Sequence, residues 1–232
     1  MNYTITEDVI TKEKSQKWLD PGVHSDLELS EHKVDVSSKG NVFFAYTYEN
    51  GAGQRTTRTE WEVDEIGPFD TLSAGLQNTI RKISEERKIS IPEAIAAFRD
   101  SKVKAQMRRI LYVAKVFVPE EELAGKEFSS FKDFVTFVSN AIGTRNKGVT
   151  LRVKLTYDRK GWVNTPDYVR ENTPWIERVD EATEEQSKIK IVDGLDKMVR
   201  PTPSGSRAPK KDNPLEETTT QTMPQAQDDL PF

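Results

Sequence analysis

The chain has 232 residues, of which 35% are hydrophobic and 31% charged, and its formal net charge at pH 7 is −4. This balance excludes a simple polycation, and the low hydrophobic fraction predicts that part of the chain lies outside any core. No apolar run is long enough to cross a bilayer, and the first residues lack a signal-peptide pattern. We therefore expect a cytoplasmic protein.

Cysteine and histidine content narrows the possible chemistry. The chain contains no cysteine and only two histidines, His24 and His32. Disulfides, thiolate nucleophiles and cysteine zinc sites are therefore excluded. The spacing of the two histidines matches no common metal-binding motif. We expect neither a metal nor a cofactor.

The composition of the two ends predicts that neither belongs to the folded body. Residues 201–232 hold six of the chain's 12 prolines and no aromatic residue before Phe232. Such a segment buries too little apolar surface to offset its loss of conformational entropy. We expect a flexible N-terminal segment over residues 1–17, a folded domain over 18–200 and a disordered acidic tail over 201–232.

The first part of the body alternates polar and apolar residues, which predicts three antiparallel strands in a meander. The first predicted strand runs from Val23 to Val36 and carries a polar kink at Ser30-Glu31-His32. A run of β-branched and aromatic residues over 42–49 predicts the second strand. Residues 55–63 alternate again and form the third.

After the third strand the spacing of the apolar residues changes to that of a helix. Leucines and isoleucines at helical spacing follow Asp70, and Ser90 and Glu93 have the spacing of a capping box. Residues 109–118 are predicted to return to a strand. A further helix follows within 119–148, and residues 149–158 show the most regular strand alternation in the chain.

This order predicts a mainly β fold with helical insertions, namely a five-stranded Greek-key barrel of the OB type. The helical insertions would lie near residues 70–107 and 119–148. The alternative is a general α+β sheet with helices on one face. The bent first strand and the meander favour the barrel, because both suit closure of the sheet.

Basic residues cluster in two segments of this otherwise nearly neutral body. Residues 143–170 hold seven lysines and arginines against two aspartates, and residues 99–115 hold six against one. Cations beside aromatic side chains on a strand are what single-stranded nucleic acid requires, although a solvated sheet face has the same pattern. The candidate DNA contacts are Trp61, Tyr48, Arg58, Lys115, Arg152, Lys154, Lys160 and Trp162.

The sequence offers little support for an enzyme. The acidic clusters at 120–122 and 184–185 lack the spacing of a two-metal nuclease, and Gly51 and Gly53 join two strands rather than opening a helix. We expect no catalytic residues.

The last five residues form a second candidate site, for a partner protein. Two carboxylates and two apolar residues precede a terminal aromatic residue. Such a peptide can insert its aromatic ring into an apolar pocket while an Arg or Lys binds its terminal carboxylate. The predicted partner-binding residues are Asp228, Asp229, Leu230, Pro231 and Phe232.

The terminal sequence Asp-Asp-Leu-Pro-Phe resembles the acidic tip, Asp-Asp-Asp-Ile-Pro-Phe, of bacterial single-stranded DNA-binding proteins. In that family an OB fold is joined by a linker to a tip that recruits replication and repair enzymes. This chain has one Asp fewer, and Leu230 stands in place of the Ile. The body is more similar to OB-fold proteins of tailed bacteriophages, in which a Pro-Gly-x-His start like Pro21-Gly22-Val23-His24 precedes the meander.

The resemblance implies a non-catalytic, phage-encoded protein in the host cytoplasm. It would bind and protect single-stranded DNA during replication, recombination or repair. Its tip would recruit a polymerase, helicase, primase or nuclease. Two alternatives remain at this stage: a protein-interaction hub whose barrel binds protein, and a nucleic-acid-processing enzyme with its site in the insertions.

Overall fold

The computed structural model describes residues 18–170 and 172–201 of the chain. The predictions for residues 1–17 and for the tail from residue 202 onward lie outside the described residues. The same holds for the predicted partner-binding residues Asp228, Asp229, Leu230, Pro231 and Phe232.

The described part contains a mostly antiparallel sheet in the order β3-β2-β1-β4-β5, with β6 also paired to β4. The predicted meander is confirmed, since β1 pairs with β2 and β2 with β3, both antiparallel. The strands are β1 (Gly22–Val36), β2 (Val42–Asn50), β3 (Arg55–Trp61), β4 (Leu151–Tyr157), β5 (Val163–Asn164) and β6 (Ile176–Arg178).

The long first strand bends the sheet and joins its two halves. It pairs with β2 along one side and with β4 on the other, and its register to β2 shifts between Leu29 and Glu31. A bulge of this kind bends a strand and increases its twist. The predicted polar kink at Ser30 is therefore confirmed, and it lies where the sheet curves.

The sheet forms a nearly closed barrel, in which β3 and β5 approach each other without a backbone ladder. Side chains of β3 span the gap: the Thr56 hydroxyl donates to the Val163 carbonyl at 2.7 Å, and Arg58 donates to the Thr165 carbonyl at 3.2 Å. These bonds fix the segment after β4 beside the first half of β3.

All helices of the described residues lie between β3 and β4. The predicted capping box at Ser90 and Glu93 is confirmed, because the Glu93 carboxylate accepts from the Ser90 amide at 2.8 Å and the Ser90 hydroxyl accepts from the Glu93 amide. The helices are α1 (Ala74–Arg87), α2 (Ile91–Ala114), α3 (Glu120–Leu123) and α4 (Phe131–Ile142).

The predicted strand over 109–118 is wrong, because α2 continues to Ala114 and turns follow it. Ile110, Val113 and Ala114 are buried along one side of this helix and belong to the core. A short apolar run suits a buried helix as well as a strand, and here tertiary packing overrides the local β preference. The two predicted insertions are therefore one, and residues 149–158 supply the fourth strand rather than the fifth.

The core lies inside the barrel and under α4. Phe44, Tyr46 and Tyr48 of β2 point inward and are essentially unexposed, which determines the orientation of that strand. Helix α4 packs on β1 and β2, and His32 of β1 lies 3.0 Å from the Ser139 hydroxyl of α4.

No helix in residues 18–170 and 172–201 combines the length and apolar character that a bilayer crossing requires.

Candidate nucleic-acid interface

The outer face of β2 and β3 carries aromatic side chains of the kind on which bases stack. Burial alternates along β3, with Thr56, Arg58 and Glu60 inward. Residues that pair directly across β2 and β3 have their side chains on the same face of the sheet, so the register between the strands identifies the outer positions of both. These outer residues are Phe43, Ala45, Thr47 and Glu49 of β2, and Arg55, Thr57, Thr59 and Trp61 of β3.

An exposed aromatic pair marks one end of this face. The rings of Phe43 and Trp61 have centroids 4.7 Å apart at an interplanar angle of 46°, and Trp61 is 39% exposed. The buried side-chain amide of Gln106 on α2 donates to the Trp61 carbonyl and fixes the end of β3. A supported, half-exposed indole of this kind offers a surface for a stacked base.

Small side chains occupy the middle of the face. Ala45, Thr47, Thr57 and Thr59 carry no charge, and the hydroxyls of Thr47 and Thr57 lie 2.9 Å apart. Thr57 is exposed and Thr59 is half-buried, whereas Ala45 and Thr47 are each only 6% exposed. A flat ligand can therefore reach the threonines of β3 but not the middle of β2.

The β4–β5 hairpin carries a second exposed indole and a basic turn. The Asp158 carboxylate accepts from the backbone amides of Lys160 and Trp162, at 2.8 and 2.9 Å, and so fixes the β4–β5 hairpin. Trp162 is 48% exposed, and Arg159 and Lys160 are exposed beside it. The hairpin therefore presents an aromatic surface and two cations together.

One contact brings this hairpin to the start of β3, and a second brings Trp18 there. The Thr56 hydroxyl bonds to the Val163 carbonyl, next to Trp162, and Trp18 forms a β-bridge with Arg55. Trp18 is also 48% exposed. Among the residues that the structure describes, neither Arg55 nor Arg159 nor Lys160 forms an ion pair. We call Trp18, Arg55, Arg159, Lys160 and Trp162 the basic end.

The strand on the far side of β2 is acidic. Its outer positions, matched to β2 by register, include Glu28, Glu31 and Asp35. Lys33 lies between the last two, 3.9 Å from each carboxylate. A polyanion on the outer face is repelled from β1, so its phosphates are favoured toward the hairpin side.

Four of the eight predicted DNA contacts are buried, and this corrects their assignment. Tyr48 is 0% exposed inside the barrel and offers no face for a base. Arg58 points inward, where it bonds to Glu60 at 3.0 Å and to Asp167 at 2.7 Å. A buried, paired guanidinium cannot reach a phosphate unless the barrel opens.

Arg152 and Lys154 of β4 are the other two. Both side chains lie on the face of β4 that is opposite to its apolar residues. The segment after β5 covers this face. Arg152 pairs with Glu177 and bonds to the Ser25 hydroxyl, and Lys154 pairs with Asp196 at 2.8 Å. Both cations are neutralised inside the protein.

The remaining predicted contacts are exposed, but they do not all lie together. Trp61 is at the aromatic end of the outer face, and Lys160 and Trp162 are at the basic end. Lys115 follows α2 and pairs with Glu120 at 3.0 Å. Four residues of the face were not predicted from the sequence. They are Trp18, Phe43, Arg55 and Arg159. Arg55 could have been identified from the alternation of β3, because it lies on the same face of the strand as Trp61.

A buried charge network holds the inner side of β3. The Glu60 carboxylate, 4% exposed, accepts from Arg58 at 3.0 Å and from Arg109 of α2 at 2.7 and 2.8 Å. Burial disfavours the charged guanidinium of Arg58, but Glu60, Tyr46 and Asp167 outweigh it and raise its pKa. This network joins β3 to α2. Because Arg58 is already paired with Glu60, its charge is not available to a ligand.

Within residues 18–170 and 172–201 no cluster of His, Asp and Glu side chains could hold a metal ion. Burial inside the barrel raises the pKa of the Tyr46 phenol. Comparison of the chain with protein-family models, with curated proteins and with solved structures finds no match.

Replacement of Glu60 with Ala should lower the free energy of unfolding by about 3–5 kcal/mol, because Arg58 and Arg109 would lose their buried counter-charge. Urea denaturation at pH 7 measures this change. Glu62→Ala, two residues along the chain at an exposed position, is the control and should change stability by less than about 0.5 kcal/mol. Equal effects of the two substitutions would contradict the role given to the network.

Asp196 should make stability depend on pH in the acid range. Burial alone would raise its pKa, but hydrogen bonds from Lys154, Tyr168 and the Val192 amide outweigh burial and lower it. Its contribution is therefore complete well above the unfolded-state pKa of about 3.9 and is lost as the pH falls through the lower folded-state value.

The difference in unfolding free energy between wild type and Asp196→Asn should therefore be large at pH 7 and shrink between about pH 4 and 2. Urea denaturation across this range measures it. Asp193→Asn, at an exposed position of the same segment, is the matched control. A difference that stays constant with pH would contradict the lowered pKa.

Proposed function

We propose that this chain is an OB-fold protein that binds single-stranded DNA along the outer face of β2 and β3. The order of the strands supports the fold. A three-stranded meander, pairing of β1 with both β2 and β4, and return of β5 toward β3 are the features of a five-stranded, partly open Greek-key barrel. In OB folds the face of strands 2 and 3 and the β4–β5 loop bind oligonucleotides.

The observation that carries the proposal is the arrangement of exposed side chains on that face. Aromatic surfaces stand at both ends of an uncharged track, and the cations of the basic end stand at one of them. Trp61 and Arg55 are six residues apart on β3, which corresponds to about 20 Å at about 3.3 Å per residue. This length allows several nucleotides to lie along the track.

The same arrangement favours a single strand over a duplex. Bases can stack on Trp61 and Trp162 only when they are not stacked within a double helix. The acidic outer positions of β1 disfavour a second line of phosphates beside the first. Stacking and phosphate contacts do not depend on base identity, so we expect binding with little sequence preference.

The sequence of the tail supports a second element of the proposed function. The tip from Asp228 to Phe232 would recruit replication or repair proteins to DNA that the barrel has bound. Support for this element is the resemblance of the tip to that of single-stranded DNA-binding proteins, together with its two carboxylates and terminal aromatic residue.

Replacement of Trp61 or Trp162 with Ala should weaken binding of oligo(dT) at least several-fold, because a stacked base contributes about 1–3 kcal/mol. Trp61→Phe and Trp162→Phe retain a ring and should keep much of the affinity. Arg159→Ala with Lys160→Ala should also flatten the salt dependence, by about 0.7 in log–log slope for each phosphate that the variant no longer neutralises.

Fluorescence anisotropy of a labelled oligo(dT) at several salt concentrations measures all of these changes. Lys126→Ala, an exposed cation between α3 and α4, is the control for charge and should leave both affinity and slope unchanged. Absence of micromolar or tighter binding by the wild-type protein at low salt would exclude the proposed function.

Deletion of residues 224–232 should leave oligo(dT) affinity unchanged or raise it slightly at low salt, because the deletion removes two carboxylates that compete with DNA for cations. The gain should disappear at high salt, where charge interactions are screened. Anisotropy of full-length and truncated protein at two salt concentrations provides the measurement. Several-fold weaker binding after truncation would make the tail part of the DNA-binding surface and contradict the recruitment role.

A further inference from the structure

The last described segment of the chain is fastened to β4 by a buried lysine. We call residues 189–200 the C-terminal strap. Lys154 of β4 donates from Nζ to the Lys190 carbonyl, to the Tyr168 hydroxyl and to Asp196 Oδ2, each at 2.8 Å. An ammonium group has three donors, so all of them are satisfied.

Asp196 is satisfied in the same way from the side of the strap. Its carboxylate also accepts from the Tyr168 hydroxyl at 2.6 Å and from the Val192 amide at 2.8 Å. The side chains of Lys154 and Asp196 are both 0% exposed. A buried ion pair is weak evidence for net stability, but losing one partner is costly, so the pair strongly disfavours release of the strap.

Beyond this anchor the strap reaches the β4–β5 hairpin. The Tyr157 amide, at the end of β4, donates to the Lys197 carbonyl at 2.8 Å. The side chain of Arg200 lies against Gly161, where a Cβ would stand only 3.1 Å from Arg200 Cγ and Nε. Gly161 has φ +82°, a left-handed conformation that also favours glycine.

These contacts bring the side chain of Arg200 and the backbone of Lys197 beside the hairpin. Lys197 and Arg200 are exposed, and neither forms an ion pair within the described part of the chain. They join Arg159 and Lys160, which lie between Asp158 and Gly161 in the hairpin. Asp158 Oδ1 accepts from the hairpin amides of Lys160 and Trp162.

We infer that Lys154, Asp196 and Tyr168 position the strap so that Lys197 and Arg200 extend the phosphate-binding surface of the basic end. The inference rests on the proposed DNA binding and deepens it. Lys197 and Arg200 contact the phosphates, whereas Lys154 and Asp196 touch no nucleic acid and act only through the strap. A purely structural ion pair would affect stability without changing the number of phosphates that the protein neutralises.

A double-mutant cycle on full-length protein separates these two roles. Lys197→Ala with Arg200→Ala should weaken oligo(dT) binding several-fold at low salt and flatten the log–log salt slope by about 1.4 for two phosphates. Asp196→Asn should weaken binding and flatten the slope in the same direction. Added to the Lys197→Ala and Arg200→Ala variant, it should cause no further weakening, because the cations that it positions are already absent.

The control removes the same number of exposed cations elsewhere. Lys126→Ala with Lys188→Ala should leave the slope unchanged. Tyr168→Phe keeps the ion pair and removes only its bridging hydroxyl, so it tests the same effect in a milder form if Asp196→Asn does not fold. An unchanged slope in the Lys197→Ala and Arg200→Ala variant, or an equal weakening by Asp196→Asn in both backgrounds, would overturn the inference.

Hydrogen exchange gives a readout that does not need DNA. The Tyr157 amide is bonded to the Lys197 carbonyl, so Asp196→Asn or Tyr168→Phe should speed its exchange more than that of the Val153 amide in the middle of β4. Failure of the wild-type protein to bind DNA would refute the proposed function, whereas unchanged Tyr157 exchange would refute the positioning role.

Discussion

Charges buried in the wall of the barrel determine how the separate parts of this protein are joined. Arg58 of β3 and Lys154 of β4 are each enclosed, and an unpaired charge in that position would cost several kcal/mol. Each therefore requires a carboxylate, which comes from Glu60 and Asp167 in one case and from Asp196 in the other. These partners connect β3 to α2 and to the segment after β5, and connect β4 to the C-terminal strap.

The same burial decides which cations remain for a ligand. Arg58, Arg152 and Lys154 are neutralised inside the protein. Within the described part of the chain, exposed cations without an ion pair remain at the β4–β5 hairpin, at the start of β3 and on the strap. The acidic outer positions of β1 lie on the opposite side of the track. The acidic positions and the cations therefore lie on opposite sides of the outer face, an asymmetry that the net charge of −4 does not show.

Local signals in the sequence predicted β1 to β4 and one helix start. Alternation identified β1, β3 and β4, the β-branched and aromatic run identified β2, and the capping box identified the start of α2. Residues 109–118 were misassigned because a short apolar run does not distinguish a buried helix from a strand. The buried cations were misassigned for another reason. Alternation tells which residues of β4 share a face, but not that residues after β5 cover it, and the partner of Lys154 lies 42 residues away.

We propose that single-stranded DNA lies across the outer face of β2 and β3 and reaches the basic end. Nuclear magnetic resonance of the protein titrated with a short oligo(dT) tests this directly, because each tryptophan indole gives its own signal. We expect the indole signals of Trp18, Trp61 and Trp162 to shift on binding, while that of the fully buried Trp175 stays in place. Shifts confined to the helices between β3 and β4, with the three exposed indoles unaffected, would contradict it.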